Sequence, residues 1–140
     1  MPMTKREIDT LLKQPNVAVM AVTAADGSPH TVPVWYEWKG GAATLFMFRE
    51  SFKLKCLQHD PRVTLVVDSK KTPYKCVILK GKAEIAFKKA DPWVRRLSIA
   101  YYGKRAGIGY ADSLKGTEFA FVTVKPERTI SWDYARDSDT

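Results

Sequence analysis

A chain of 140 residues is the size of one domain with one core, and 45% hydrophobic with 27% charged residues describes a soluble globular fold. Its longest apolar runs fall far short of a membrane span, and Met1 to Arg6 leads into a helical pattern rather than a leucine-rich signal core, so the expectation is a cytoplasmic protein. The net charge of +8 fits a solvated basic surface, a host for an anionic coenzyme or a nucleic-acid surface, and charge alone does not choose.

Residues 4–13, TKREIDTLLK, place Ile8, Leu11 and Leu12 at helical spacing behind Thr4, with Glu7 three positions on as in a capping box. Pro15-Asn16 ends that helix. Residues 17–23, VAVMAVT, are apolar and rich in β-branched side chains and run into Ala25-Asp26-Gly27-Ser28, which predicts a strand, a tight turn and an antiparallel return strand over 29–38. Within that return strand Pro33 has no amide hydrogen to donate, so it marks an edge, a bulge or a place where the ladder opens. It reads either as an edge proline without a ligand or as a site where freed backbone groups address a ring. Gly40-Gly41 turns the chain into a strand over 43–48. Residues 50–59 read as a short helix with Phe52, Cys56 and His59 on one face, stopped near His59-Asp60 because Pro61 disfavours a helical residue before it.

Residues 62–68 read as a buried strand, 69–73 as a polar loop and 74–87 as a long strand that bends or bulges at Gly81. Residues 91–102 are helical, capped by Asp91 with Pro92 in the first turn. Residues 103–109 read as a loop, 118–124 as the last clear strand, 126–133 as an extended ending and 135–140 as a frayed tail. Consecutive strands on short turns favour a barrel, in a single domain over 1–140 without repeat or linker.

Several chemistries are excluded. Cys56 and Cys76 have no CxxC spacing and no histidine pair at ligand intervals, which argues against zinc and leaves two reduced thiols. There is no GxGxxG and no P-loop, since Gly81-Lys82 is followed by Ala83 and Gly103-Lys104 by Arg105. His30 and His59 are the only histidines and no GxSxG elbow occurs, so if the chain is an enzyme, a cofactor carries the reaction. The stretch from His30 to Lys55 is where one fits: it delivers the Ser51 hydroxyl and the Lys53 and Lys55 ammonium groups just past a strand, with Thr31 to Tyr36 beside them. That is a seat for a flat ring with a phosphate tail, and the two lysines are the residues favoured for anion binding, the other reading being a solvated helix face.

Thr31-Val32-Pro33-Val34-Trp35-Tyr36 after a turn, Ser51-Phe52-Lys53 after the next strand, and Leu57 to Arg62 (LQHDPR) leading into the strand Val63 to Val67 also carry a resemblance. The chain resembles the pyridoxamine 5'-phosphate oxidase-like superfamily of flavoproteins, and more closely its short actinobacterial members that use the deazaflavin coenzyme F-420. The resemblance implies a mainly β (α+β) fold, an antiparallel split β-barrel with short flanking helices. It implies a cofactor held by Thr31, Val32, Pro33, Val34, Trp35, Phe48, Ser51, Lys53, Lys55, Lys75 and Trp132, with Lys53 on the phosphate, Ser51 beside it and Lys75 reaching in from a second subunit. Trp35, Phe48, Tyr74 and Trp132 are its expected stacking walls. The implied assembly is a homodimer with pockets at the subunit interface, and the implied activity is hydride transfer to an unsaturated small molecule, with no nucleic acid or membrane partner.

The chain departs from the vitamin-oxidising branch, which resembles it but has basic residues where Thr31, Tyr36 and Phe52 stand here, a glutamine at Cys76 and an arginine-rich C-terminal motif that is missing. FMN is therefore the alternative cofactor, and no residue is assigned as catalytic or as a metal ligand. A binding protein for flavin, haem or tetrapyrrole without turnover is the second class, and a nucleic-acid-binding barrel is the third.

Overall fold

The computed structural model describes residues 2–136. In chain order the elements are α1 (Lys5–Lys13), β1 (Ala18–Thr23), β2 (Pro29–Val34), β3 (Glu37–Lys39), β4 (Ala42–Met47), α2 (Phe52–His59), β5 (Arg62–Asp68), β6 (Lys75–Lys88), α3 (Asp91–Tyr102), α4 (Lys104–Ser113) and β7 (Phe119–Asp133). The strands form one antiparallel seven-stranded sheet in the order β2-β1-β5-β6-β7-β4-β3. Its two edges, β2 and β3, are joined by Trp35 and Tyr36 alone. Three residue steps span at most about 11 Å, so the sheet must curl until its edges nearly meet, leaving a barrel split along that seam. The fold is the mainly β, antiparallel split barrel that the sequence predicts.

Strand alternation fills the interior. Met20, Leu45, Leu65, Val67, Val77, Leu79, Val122 and Val124 point inward, and Leu12 of α1 with Leu54 and Leu57 of α2 complete the same cluster. The capping box holds: the Thr4 hydroxyl accepts from the Glu7 amide at 3.2 Å, and the Glu7 carboxylate accepts from the Thr4 amide at 2.9 Å. A smaller cluster of Val94, Phe119 and Phe121 seats α3 on the outside of the sheet. The bend predicted at Gly81 is a bulge between Lys80 and Gly81, and a Cβ there would lie 2.6 Å from the Lys125 carbonyl. No helix among the described residues is long and apolar enough to cross a membrane.

Several expectations are corrected. The strand over 29–38 is two strands that pair with β1 and β4 respectively, because the chain passes from one sheet edge to the other at Trp35-Tyr36. Residues 104–113 form helix α4 where a loop was expected through 109. The last strand and extended ending are one 15-residue strand bonded to β6 over nearly its whole length, with Pro126 tolerated beside the bulge. Asp91 is the first residue of α3 rather than its cap, and its carboxylate accepts from the Gly116 amide at 3.1 Å. On α2 the buried residues are Leu54, Cys56 and Leu57; Phe52 is 54% exposed and meets His30 edge-on. Of the tail, Ala135 and Arg136 are fastened to Asp133, and 137–140 lie outside the described residues.

Candidate functional site

The crossing between the sheet edges is tied to α3 by side chains: Trp93 and Arg96 donate to the Glu37 carboxylate at the start of β3, and Tyr101 bonds the crossing itself. The Tyr101 hydroxyl of α3 accepts from the Tyr36 amide at 3.2 Å and donates to the Asn16 carbonyl at 2.8 Å, replacing the ladder partners that the strand break removes. Burial raises the Tyr101 pKa, which keeps that hydroxyl a donor. The Tyr101 ring lies flat on Trp35, with centroids 5.0 Å apart and planes 9° from parallel, and Tyr102 and Tyr110 meet the same indole edge-on at 4.7 and 5.7 Å. Helices α3 and α4 thus press an aromatic wall against the break.

Facing that wall is a cleft of about 310 Å³, lined by Val17, Pro33, Val34 and Trp35, by Phe46, Met47 and Phe48 at the end of β4, by Lys53 of α2, and by Tyr102 and Tyr110. It is walled by rings and aliphatic groups and holds one cation. Loss of water lowers the Lys53 pKa, and among the described residues no carboxylate pairs with it. Two residues earlier Ser51 occupies the N-cap of α2 yet makes no capping bond, and its buried hydroxyl has no partner. A buried hydroxyl without a partner costs about 1–3 kcal/mol. An anion against Lys53 and Ser51 answers both deficits, which is the fit expected of a phosphate-bearing cofactor.

The fold therefore brings Pro33, Val34, Trp35, Phe48 and Lys53 together in one lining, while Ser51, two residues before Lys53 at the N-cap of α2, lies outside that lining. Thr31 and Val32 precede them on β2, Thr31 exposed and Val32 packed on the barrel core. Lys55 is exposed, since two residues turn a helix by about 200°. Lys75 lies in a different cleft, with Arg6, Glu7, Lys71 and Asp133. Trp132 pairs with Cys76 in the β6–β7 ladder, its indole N–H buried without a partner, and Tyr74 is exposed. Neither Lys75 nor Trp132 reaches the aromatic cleft of its own chain.

Sequence reasoning missed Val17, Phe46, Met47, Tyr102 and Tyr110. The available signal was the pair Gly107 and Ala111, two small residues four apart that are the buried positions of α4. They let α4 lie close on α3 and bring Tyr110 to Trp35. Among the described residues no group of three or more histidine, cysteine, aspartate or glutamate side chains is placed to hold a metal ion.

Residues 4–133 match the family described as pyridoxamine 5'-phosphate oxidase. A conserved hypothetical protein from Mycobacterium tuberculosis is similar in structure, with TM-score 0.76 and 24% identity over 99% of this chain and 89% of that one. An F-420 reductase follows at TM-score 0.70 and 18% identity, over 86% of this chain and 94% of that one. A haem storage protein from Vibrio cholerae is similar at TM-score 0.68 and 15% identity, over 92% and 95%. No curated protein sequence matches the chain.

Proposed function

The chain belongs to the pyridoxamine 5'-phosphate oxidase family, and from that premise we propose that its aromatic cleft holds the deazaflavin coenzyme F-420 and that the protein is an oxidoreductase acting on an unsaturated small molecule. One observation carries this reading: the unpaired, half-buried Lys53 ammonium in an aromatic-walled cleft, two residues from a buried serine hydroxyl that lacks a partner. The likeness of fold to an F-420 reductase supports it.

When bound, the coenzyme supplies hydride transfer between its ring and the substrate. The chain's part is to bind and orient. Lys53 and Ser51 hold the phosphate, Trp35, fixed in plane by Tyr101, offers a face to the ring system, and the rings of Phe46, Phe48, Tyr102 and Tyr110 keep water from the space between. Neither histidine lines the cleft, and among the described residues Lys53, Tyr102 and Tyr110 are its titratable side chains. FMN is the alternative occupant; a single ammonium is a weak match for a phosphate carrying close to two negative charges.

The affinity of F-420 should depend on pH with a definite sign. Only protonated Lys53 attracts the phosphate, and burial sets its pKa below 10.5 in the free protein. Affinity is therefore expected to be level at neutral pH and to fall by about tenfold per unit once pH passes that lowered value. Fluorescence titration of F-420 from pH 7 upward checks this, and an affinity that stays level through 10.5 removes Lys53 from the contact.

A second reading is storage of a flavin or haem without turnover, favoured by the likeness to a haem storage protein and by a cleft that, among the described residues, is lined by no histidine and no carboxylate. Steady-state oxidation of reduced F-420 by an enone separates the two.

The proposal includes a second copy of the chain. On the outer face of the sheet Pro33, Val19, Val66, Ile78 and Ile130 stand opposite one another across β2, β1, β5, β6 and β7, and none is buried. Val19 is 42% exposed although β1 is paired on both sides there, with Pro33 and Val66. A continuous exposed apolar row of this kind marks an interaction site, which supports a second copy of the chain as its occupant. Sedimentation should give twice the mass of one chain for the wild type and a single chain for Val19→Glu; a wild-type monomer contradicts the assembly.

A further inference from the structure

A second groove, of about 540 Å³, opens on the same outer face beyond the apolar row and is lined by four cations, Arg62, Lys80, Lys82 and Arg128, and one carboxylate, Glu127, together with Thr23, Pro29 and Thr64. It shares no lining residue with the aromatic cleft. The ladder register is the informative feature. Arg62 stands opposite Lys82 and Lys82 opposite Lys125, while in the neighbouring row Lys80 stands opposite Arg128. All five side chains are exposed. Like charges directly opposed across strands destabilise a sheet, and exposed positions accept neutral or acidic residues freely.

The charges are also largely uncompensated. Arg62 is paired, with Asp60 at 2.6 Å, but Lys80, Lys82, Lys125 and Arg128 form no ion pair among the described residues. Glu84 and Glu127, on the same stretches of β6 and β7, form none either.

Spacing and lining narrow the ligand. Three neighbouring strands span about 10 Å and two residue steps along a strand about 7 Å, so five cations rise from a patch of that size. Duplex nucleic acid, whose major groove is about 12 Å across, presents few phosphates to so small a footprint. Among the described residues no aromatic side chain lines the groove, so a nucleobase has nothing there to stack on. A chain of phosphates joined directly to one another presents enough charge in that space. We propose that this groove is a binding site for an oligophosphate, free or carried by a nucleotide, recognised through its phosphate oxygens.

Isothermal titration of the full chain with inorganic tripolyphosphate, ATP and a duplex oligonucleotide tests this. Saturable binding of tripolyphosphate is expected, with affinity lowered at least tenfold in Lys80→Gln/Lys82→Gln and in the independent variant Arg128→Gln. The double variant is expected to melt at a higher temperature than the wild type, because its like charges are gone; a merely structural role for these lysines predicts the reverse. Affinity for ATP equal to or below that for tripolyphosphate assigns recognition to the phosphates, and tighter binding of ATP would contradict recognition through phosphate oxygens. Absence of saturable tripolyphosphate binding, unchanged binding in the variants, tighter binding of the duplex, or displacement of tripolyphosphate by F-420 would each overturn the proposal, the last by giving the groove to the coenzyme.

Discussion

Lys53→Ala is expected to weaken F-420 binding by about 10- to 100-fold, the loss that follows from removing one charge-assisted hydrogen bond worth about 1.5–3 kcal/mol. The fold should survive the change. Lys53 is partly exposed and unpaired, and its lowered pKa records a cost of burial that the alanine no longer carries. Lys55→Ala supplies the control: two residues away, exposed and outside the cleft, it should leave affinity within about twofold, since surface charges contribute little. Parallel fluorescence titrations with F-420 and FMN check both variants. Equal affinity in wild type and Lys53→Ala removes the phosphate assignment, and tighter binding of FMN exchanges the coenzyme while keeping the site.

The second large effect is expected away from the cofactor. A Cβ on Gly107 would lie 2.5 Å from the Ile99 Cα, 2.6 Å from its nitrogen and 2.7 Å from the Ser98 carbonyl carbon. All three are backbone atoms of α3 and cannot swing aside as a side chain does. Gly107→Ala must push α4 off α3, at an overpacking cost of about 1–3 kcal/mol or more, against a gain of about 1 kcal/mol in helix propensity. The expected result is a melting temperature lower by several degrees, roughly 3 °C per kcal/mol at this chain length. Weaker coenzyme binding should accompany it, because Tyr110 retreats from Trp35. Gly109→Ala is the matched control, since its Cβ meets nothing within 4 Å and keeps the propensity gain. Calorimetry of the pair should therefore show shifts of opposite sign, and a Gly107→Ala protein as stable as wild type contradicts the close packing of α3 and α4.

These two predictions divide along what the sequence reveals. The half of the cleft built from β2, β4 and α2 is legible, because Pro33, Trp35, Phe48, Ser51 and Lys53 all fall within one stretch whose turns and caps are local signals. The other half is not. Three glycines in seven residues, Gly103, Gly107 and Gly109, read locally as a loop, and only the contact of Gly107 with the α3 backbone reverses that preference. Tyr102 and Tyr110 vanish from view with the helix that carries them.

The seam was hidden for a related reason. Residues 29–38 are extended throughout, and nothing in them tells that the chain changes sheet edge at Trp35-Tyr36. That change is enforced from 65 residues away, where Tyr101 bonds the Tyr36 amide. The barrel core, by contrast, follows strand alternation directly, and the capping box at Thr4 and Glu7 is read from four residues.

A crystal structure of the protein grown with F-420 tests the central claim most directly. The account predicts the ring system between Trp35 and Phe48, with the phosphate within hydrogen-bonding distance of the Lys53 ammonium and the Ser51 hydroxyl. Coenzyme bound elsewhere on the chain, with the cleft closed by its own aromatic side chains, would contradict it.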